Sequence, residues 1–207
     1  MRSEKLKTRI FLDSGDPQET RALIKLLGFL DGQTTNPTLV AKHPEAQKWL
    51  LADKKITHEE VFEFYHRVVG EISEMIPQGS VSIEVYADKN TGAEQMLKQG
   101  SEMFTWIPNA HVKYPTSADG LQAAHNSVKK GMRVNMTLCF TQEQAAAVYA
   151  ATLGANKGQV FISPFIGRLD DKGSNGMDLI RNILKMYEGG DGHTEVLTAS
   201  VRTFDHL

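Results

Sequence analysis

The run "HVKYPTS", residues 111–117, carries a lysine, Lys113, in a short apolar segment that ends at a proline. Strand side chains alternate between two faces. Lys113 therefore points away from the side taken by Val112 and Tyr114, and Pro115 stops the hydrogen-bond ladder. On an edge strand such a lysine lies in water, the ordinary place for a lysine. In a strand covered on both faces it stands in a pocket, where desolvation favours a neutral amine able to attack a carbonyl. The surrounding sequence decides between the two.

Working outward, short β-rich runs alternate with longer segments of helical period. Strands are predicted over 8–13, 32–35, 80–87, 111–115, 133–140, 159–165 and 195–200. Between them the helices announce their own starts. Asp16 with Pro17 opens "DPQETRALIKLLGFL", "THEE" at 57–60 has the form of a capping box, and Ser117 and Thr141 stand at N-cap positions. Seven β/α alternations predict a parallel sheet, open and doubly wound or closed as a barrel. No G-x-G-x-x-G follows the first strand and no G-x-x-x-x-G-K loop is present, which disfavours the nucleotide-binding version. Polar residues instead stand at the strand ends: Asp13, Thr34 with Asn36, Glu84, Lys113, Asn135 with Thr137, Ser163 with Arg168, and Ser200 with Arg202. In a β/α barrel those ends share one mouth, where the chemistry sits. The fold expected is a (β/α)8 TIM barrel, one domain over residues 1–207, with the eighth β/α unit missing after "SVRTFDHL" and the domain thus C-terminally incomplete.

Bulk composition narrows the function. The chain has 207 residues, 41% hydrophobic and 23% charged, ordinary values for a globular protein with a real core. With 23 Lys plus Arg against 25 Asp plus Glu, the net charge of −2 supplies no general attraction to nucleic acid or membrane surfaces. Any anion site must be local. A lone cysteine, Cys139, forms no intrachain disulfide, and no apolar run approaches the length of a membrane span. A cytoplasmic location is expected. No Cys/His cluster has metal-ligand spacing, so no metal site is expected.

Seven motifs, each closing a predicted strand, carry a family resemblance over the whole chain: "FLDSGD", "GQTTNPTLV", "VSIEV", "HVKYPTS", "VNMTLCF", "ISPFIGRLDD" and "TASVR". The chain resembles the transaldolase family of class I aldolases, in its compact short-chain type. That resemblance implies that Lys113 forms a Schiff base with the C2 carbonyl of a ketose phosphate and acts as electron sink while the C3–C4 bond breaks. Asp13 is implied as the general base on the C4 hydroxyl, with Asp16 the better helix cap on spacing. Glu84 and Thr137 are implied to hold the water that moves protons as the carbinolamine forms and dehydrates. Asn36 and Asn135, with Thr34, are implied to bind sugar hydroxyls. Asn36 also has the position of an N-cap before Pro37, and the two roles are compatible in part. Arg168 and Arg202, assisted by Ser163 and Ser200, are implied to bind the terminal phosphate, which guanidinium forks suit. Arg168 has Asp170 and Asp171 near it in sequence as alternative ion-pair partners.

Family aldolases that release free dihydroxyacetone from fructose 6-phosphate typically carry Gln and Tyr where this chain has Glu84 and Phe165. Without a phenol at 165 to protonate the enamine, the three-carbon unit stays on Lys113 until an acceptor arrives. The resemblance thus implies transfer of a dihydroxyacetone unit from fructose 6-phosphate or sedoheptulose 7-phosphate to erythrose 4-phosphate or glyceraldehyde 3-phosphate. It implies no metal or organic cofactor, sugar phosphates as partners, and a homo-oligomer of unspecified size. The alternatives are a fructose 6-phosphate aldolase, and a truncated, non-catalytic barrel that serves binding or oligomerisation. One departure is local: Tyr114 follows the lysine where the family usually has an aliphatic residue, and it is expected to face the helices.

Overall fold

A computed structural model describes residues 6–52 and 56–206, the Leu50 side chain excepted. The chain forms two compact units: the first comprises Tyr86 and what precedes it together with Glu102–His111, the second Ala87–Ser101 and the chain from Val112 onward.

In the first unit, β1 (Phe11–Asp13), β2 (Gly32–Thr34) and β3 (Ser80–Glu84) run parallel. Among the described residues, three helix segments lie between β2 and β3: α2 (Pro37–Ala41), α3 (Pro44–Leu51) and α4 (His58–Met75), while α1 (Pro17–Leu27) joins β1 to β2. The starts are those expected from sequence. Asp16 accepts the Gln18 amide at 2.8 Å, and Thr57 and Glu60 form a reciprocal capping box. Gly28, at φ +77°, ends α1 in the left-handed conformation that glycine adopts without a Cβ clash. Register then sorts the side chains. Asp13, Thr34 and Ser82 are Cα partners, and Glu84 lies two residues along β3, so Asp13, Thr34 and Glu84 share one face. Gln33 is on the other face, where it accepts from Thr20 of α1 at 2.7 Å. The polar set therefore faces away from α1.

The strand β4 (Ala110–Pro115) starts in the first unit, where the Val81 amide donates to Asn109 O at 3.1 Å and Ser80 Oγ meets His111 Nδ1 at 2.6 Å. In the second unit it pairs in parallel with β5 (Val134–Cys139), followed by β6 (Val160–Pro164) and β7 (Thr194–Val196). The helices here are α5 (Ala93–Met103, through Ser101), α6 (Ala118–Lys129), α7 (Gln142–Ala151), α8 (Ile166–Asp170) and α9 (Gly176–Tyr187). Val112, Tyr114, Val134, Met136, Val160 and Ile162 are fully buried and form the layer under the helices. Tyr114 occupies that layer as the sequence implies: its hydroxyl lies 3.0 Å from Ser127 Oγ of α6. It also runs against Gly100 of α5, where a Cβ would stand 1.9 Å from the phenol oxygen. A mid-helix glycine costs about 1 kcal/mol relative to alanine, and this contact is the reason for one.

Most strand assignments hold, with trimmed ends. The expected strand at 8–13 is three residues, Phe11–Asp13, and that at 195–200 is Thr194–Val196 with one further bridge between Phe165 and Ala199. Two elements were not foreseen: α8, a five-residue helix with no side-chain cap, and a 3₁₀ turn at Phe204–His206. Parallel β/α repeats in both units are the repeat from which TIM-like barrels are built. No helix among the described residues is long and apolar enough to cross a membrane.

Candidate active site

In the second unit the register makes Lys113 the Cα partner of Asn135, and Pro115 that of Thr137. Because Tyr114 packs on α6, alternation sends Lys113, Asn135 and Thr137 to the opposite face. That face is also buried. Lys113 is 4% exposed, which removes the reading of an edge-strand lysine in water. Asn135 is held by Ser163, whose hydroxyl donates to its Oδ1 at 2.8 Å, so the Asn135 amide nitrogen has a fixed direction. Thr137 Oγ1 is buried with no hydrogen-bond partner among the described residues, a condition shared with Thr194 Oγ1. Buried hydroxyls are normally paired, and one aligned with a buried strand lysine is suited to hold a water or a substrate oxygen.

The backbone beside these residues is unusual. Leu138, at φ +60°, follows Thr137, and the β5–β6 register shifts between Met136 and Cys139. A bulge at this point re-aims the strand directly after a polar side chain. Ser200 also has φ +60°. Only Leu138 and Ser200 combine positive φ with a side chain among the described residues, and each adjoins or is a residue implicated by sequence, a placement common for strain at functional sites.

Arg168 and Arg202 belong to the same unit. The Arg168 guanidinium lies 5.1 Å from the Phe165 ring centroid, and Phe165 in turn packs 5.8 Å from Phe140. Arg202, not Arg168, forms the ion pair with Asp171, while His206 reaches Asp170 at 3.1 Å. The alternative reading of Arg168, as ion-pair partner of these two acids, is thus not the arrangement found. The Ser200–Arg202 segment reaches α8 because residue 167 is glycine: its amide donates to Ser200 O at 3.1 Å, and a Cβ would sit 2.4 Å from that oxygen and 2.7 Å from Arg202 Nε. Arg168 and Arg202 are both exposed residues.

The first unit brings together Asp13, Thr34 and Glu84. Thr34 donates to Asp13 Oδ1 at 2.7 Å, orienting the carboxylate, while the cap of α1 is Asp16, as spacing implied. Asn36 caps α2: its Oδ1 accepts the Leu39 amide at 2.9 Å, leaving its NH2 end for other contacts. Glu84 closes β3, and its amide donates to the Tyr65 hydroxyl at 3.0 Å. Beside it lies a cavity of about 300 Å³ lined largely by apolar side chains, including Val40, Trp49, Phe62 and Phe64, with Tyr65 and Glu84 at its wall. Burial pushes the Tyr65 phenol well above its ordinary pKa, and the charges of Glu84 and Asp13 add to the effect against hydrogen bonds that oppose it. Sequence gave no sign of Tyr65: an aromatic on the inner stripe of a helix reads as core.

Parallel β/α repeats with polar side chains on the face away from the helices define an α/β fold consistent with a TIM-like barrel. Residues 10–207 match the family model described as transaldolase/fructose-6-phosphate aldolase. The chain is 41% identical over 194 residues to a probable transaldolase of Dehalococcoides mccartyi, covering 94% of this chain and 77% of that protein. It is 40% identical over 199 residues to one from Brucella ovis and 39% identical over 199 residues to one from Caulobacter sp.. These two alignments each cover 96% of this chain and 78% of the relative. The chain belongs to the transaldolase/fructose-6-phosphate aldolase family.

Proposed function

We propose that this protein is a transaldolase that moves a dihydroxyacetone unit from a ketose phosphate to an aldose phosphate through a Schiff base on Lys113. The observation that carries the reading is a lysine in mid-strand, 4% exposed, in register with an asparagine whose orientation is fixed by Ser163. The Lys113 amine adds to the C2 carbonyl, and the carbinolamine loses water to give an iminium. Breaking the C3–C4 bond sends its electron pair into the iminium, forming an enamine, while the C4 hydroxyl proton passes to the Asp13 carboxylate and the aldose leaves. Addition of the enamine carbon to an acceptor aldehyde reverses these steps, and water then releases the new ketose.

Glu84 and Thr137 serve the water steps, Thr137 through the hydroxyl that has no partner among the described residues. Asn36, Asn135 and Thr34 bind sugar hydroxyls. Arg168 and Arg202, with Ser163 and Ser200, take the phosphate, for which Arg202 exchanges its Asp171 partner. Fructose 6-phosphate and sedoheptulose 7-phosphate are the donors, and erythrose 4-phosphate and glyceraldehyde 3-phosphate the acceptors. Phe165 supports transfer over release, because it brings an aromatic ring and no proton donor.

The test is incubation with fructose 6-phosphate, borohydride reduction and peptide mass mapping. A three-carbon adduct on Lys113 that disappears when erythrose 4-phosphate is added before reduction is expected. Glyceraldehyde 3-phosphate formed at full rate without an acceptor would make the protein a fructose 6-phosphate aldolase instead. A folded chain with no adduct overturns the catalytic reading.

A further inference from the structure

Glu84 is the last residue of β3, between the buried Ile83 and Val85, so the backbone at this one residue aims its carboxylate. That backbone is held by a side chain from another element. The Glu84 amide donates to the hydroxyl of Tyr65 on α4 at 3.0 Å, and the same hydroxyl lies 2.7 Å from Thr35 Oγ1. Thr35 Oγ1 gives its single proton to Ser82 O at 2.8 Å, which makes it the acceptor from the phenol. Tyr65 thus accepts from Glu84 and donates to Thr35, and Thr35 fixes the carbonyl two residues before Glu84. The ring cannot easily swing out of this arrangement: Tyr65 is 3% exposed and meets Trp106 edge-on at 5.9 Å, and Trp106 is itself stacked on His66 at 5.0 Å.

We infer that Tyr65, with Thr35 behind it, is a positioning residue that sets the direction of Glu84 for the water steps at the Schiff base. This rests on the role proposed above for Glu84. The phenol does not touch substrate in this account. Its effect reaches the chemistry through the Glu84 backbone, so its loss slows iminium formation and hydrolysis and leaves ketose binding alone. Misplacement of a catalytic group by about 1 Å costs on the order of a hundredfold in rate.

The experiment measures the rate at which the reducible adduct forms on Lys113 with fructose 6-phosphate, together with KM, in four full-length proteins: wild type, Tyr65→Phe, Glu84→Gln and the double variant. Tyr65→Phe is expected to form the adduct at least about tenfold more slowly with KM within about twofold, and to cost nothing further in the Glu84→Gln background. Thr35→Ser, which keeps the hydroxyl, is expected to retain the wild-type rate. A wild-type rate in Tyr65→Phe, or the same loss with and without the Glu84 carboxylate, overturns the inference. Where Tyr65→Phe does not fold, Thr35→Val removes the acceptor of the phenol proton while keeping the side-chain shape, and the same two patterns decide. Absence of any adduct in folded wild-type protein is a different failure: it refutes the proposed function before any variant is made.

Discussion

The two units use one construction rule and arrive at opposite environments. In the first, register gathers carboxylates, and Asp13 stays exposed with Glu84 half-buried. In the second, the corresponding face carries Lys113, Asn135, Thr137 and Ser163, all buried. A carboxylate that exchanges protons works in contact with water, whereas an amine that attacks a carbonyl gains from exclusion of water. Under the proposed function the covalent bond to the substrate is therefore made in the second unit, and the proton-transferring carboxylates come from the first.

The sharpest way to break that division is to exchange the two losses. Lys113→Met is expected to abolish the reducible adduct and lower turnover by at least about a thousandfold, read by mass mapping and coupled assay. Asp13→Asn is expected to lower turnover by about 10²–10⁴-fold while Lys113 still reacts, and the trapped adduct then keeps all the ketose carbons because the C3–C4 bond survives. An adduct lost in both variants would mean that the units do not act separately.

The phosphate end sharpens the comparison within the second unit. Arg202→Ala is expected to raise KM for a phosphorylated ketose by about 10–100-fold with little change for the same ketose without its phosphate, since a charge-assisted hydrogen bond contributes about 1.5–3 kcal/mol. Smaller still are the effects on stability. Ser163→Ala breaks the bond to Asn135 and is expected to lower unfolding free energy by about 1 kcal/mol in urea titration. Thr137→Val removes a hydroxyl that has no partner among the described residues, so it is expected to cost no stability while it slows adduct formation.

Much of this was legible before the fold was seen. Asp16, Ser117 and Thr141 announced their helices by local chemistry, which needs only neighbours in sequence. Alternation placed Tyr114 toward the helices and Lys113 away from them. What stayed hidden depends on contacts between distant residues. The Arg202–Asp171 pair joins positions 31 apart, and the Tyr65–Glu84 bond joins positions 19 apart. Short α8 has no cap residue to mark it. The bulge at Leu138 carries no glycine, the usual sign of a positive φ.

Gly100 and Tyr114 show how such a contact constrains descent. With the phenol oxygen 1.9 Å from where a Cβ on residue 100 would stand, no other amino acid fits there while the tyrosine remains. The pair is one unit of inheritance. A lineage that gains the tyrosine must already hold the glycine, and one that loses it still keeps Val112 Cγ1 2.8 Å from a Cβ at position 100, so alanine enters there only after Val112 has given way as well.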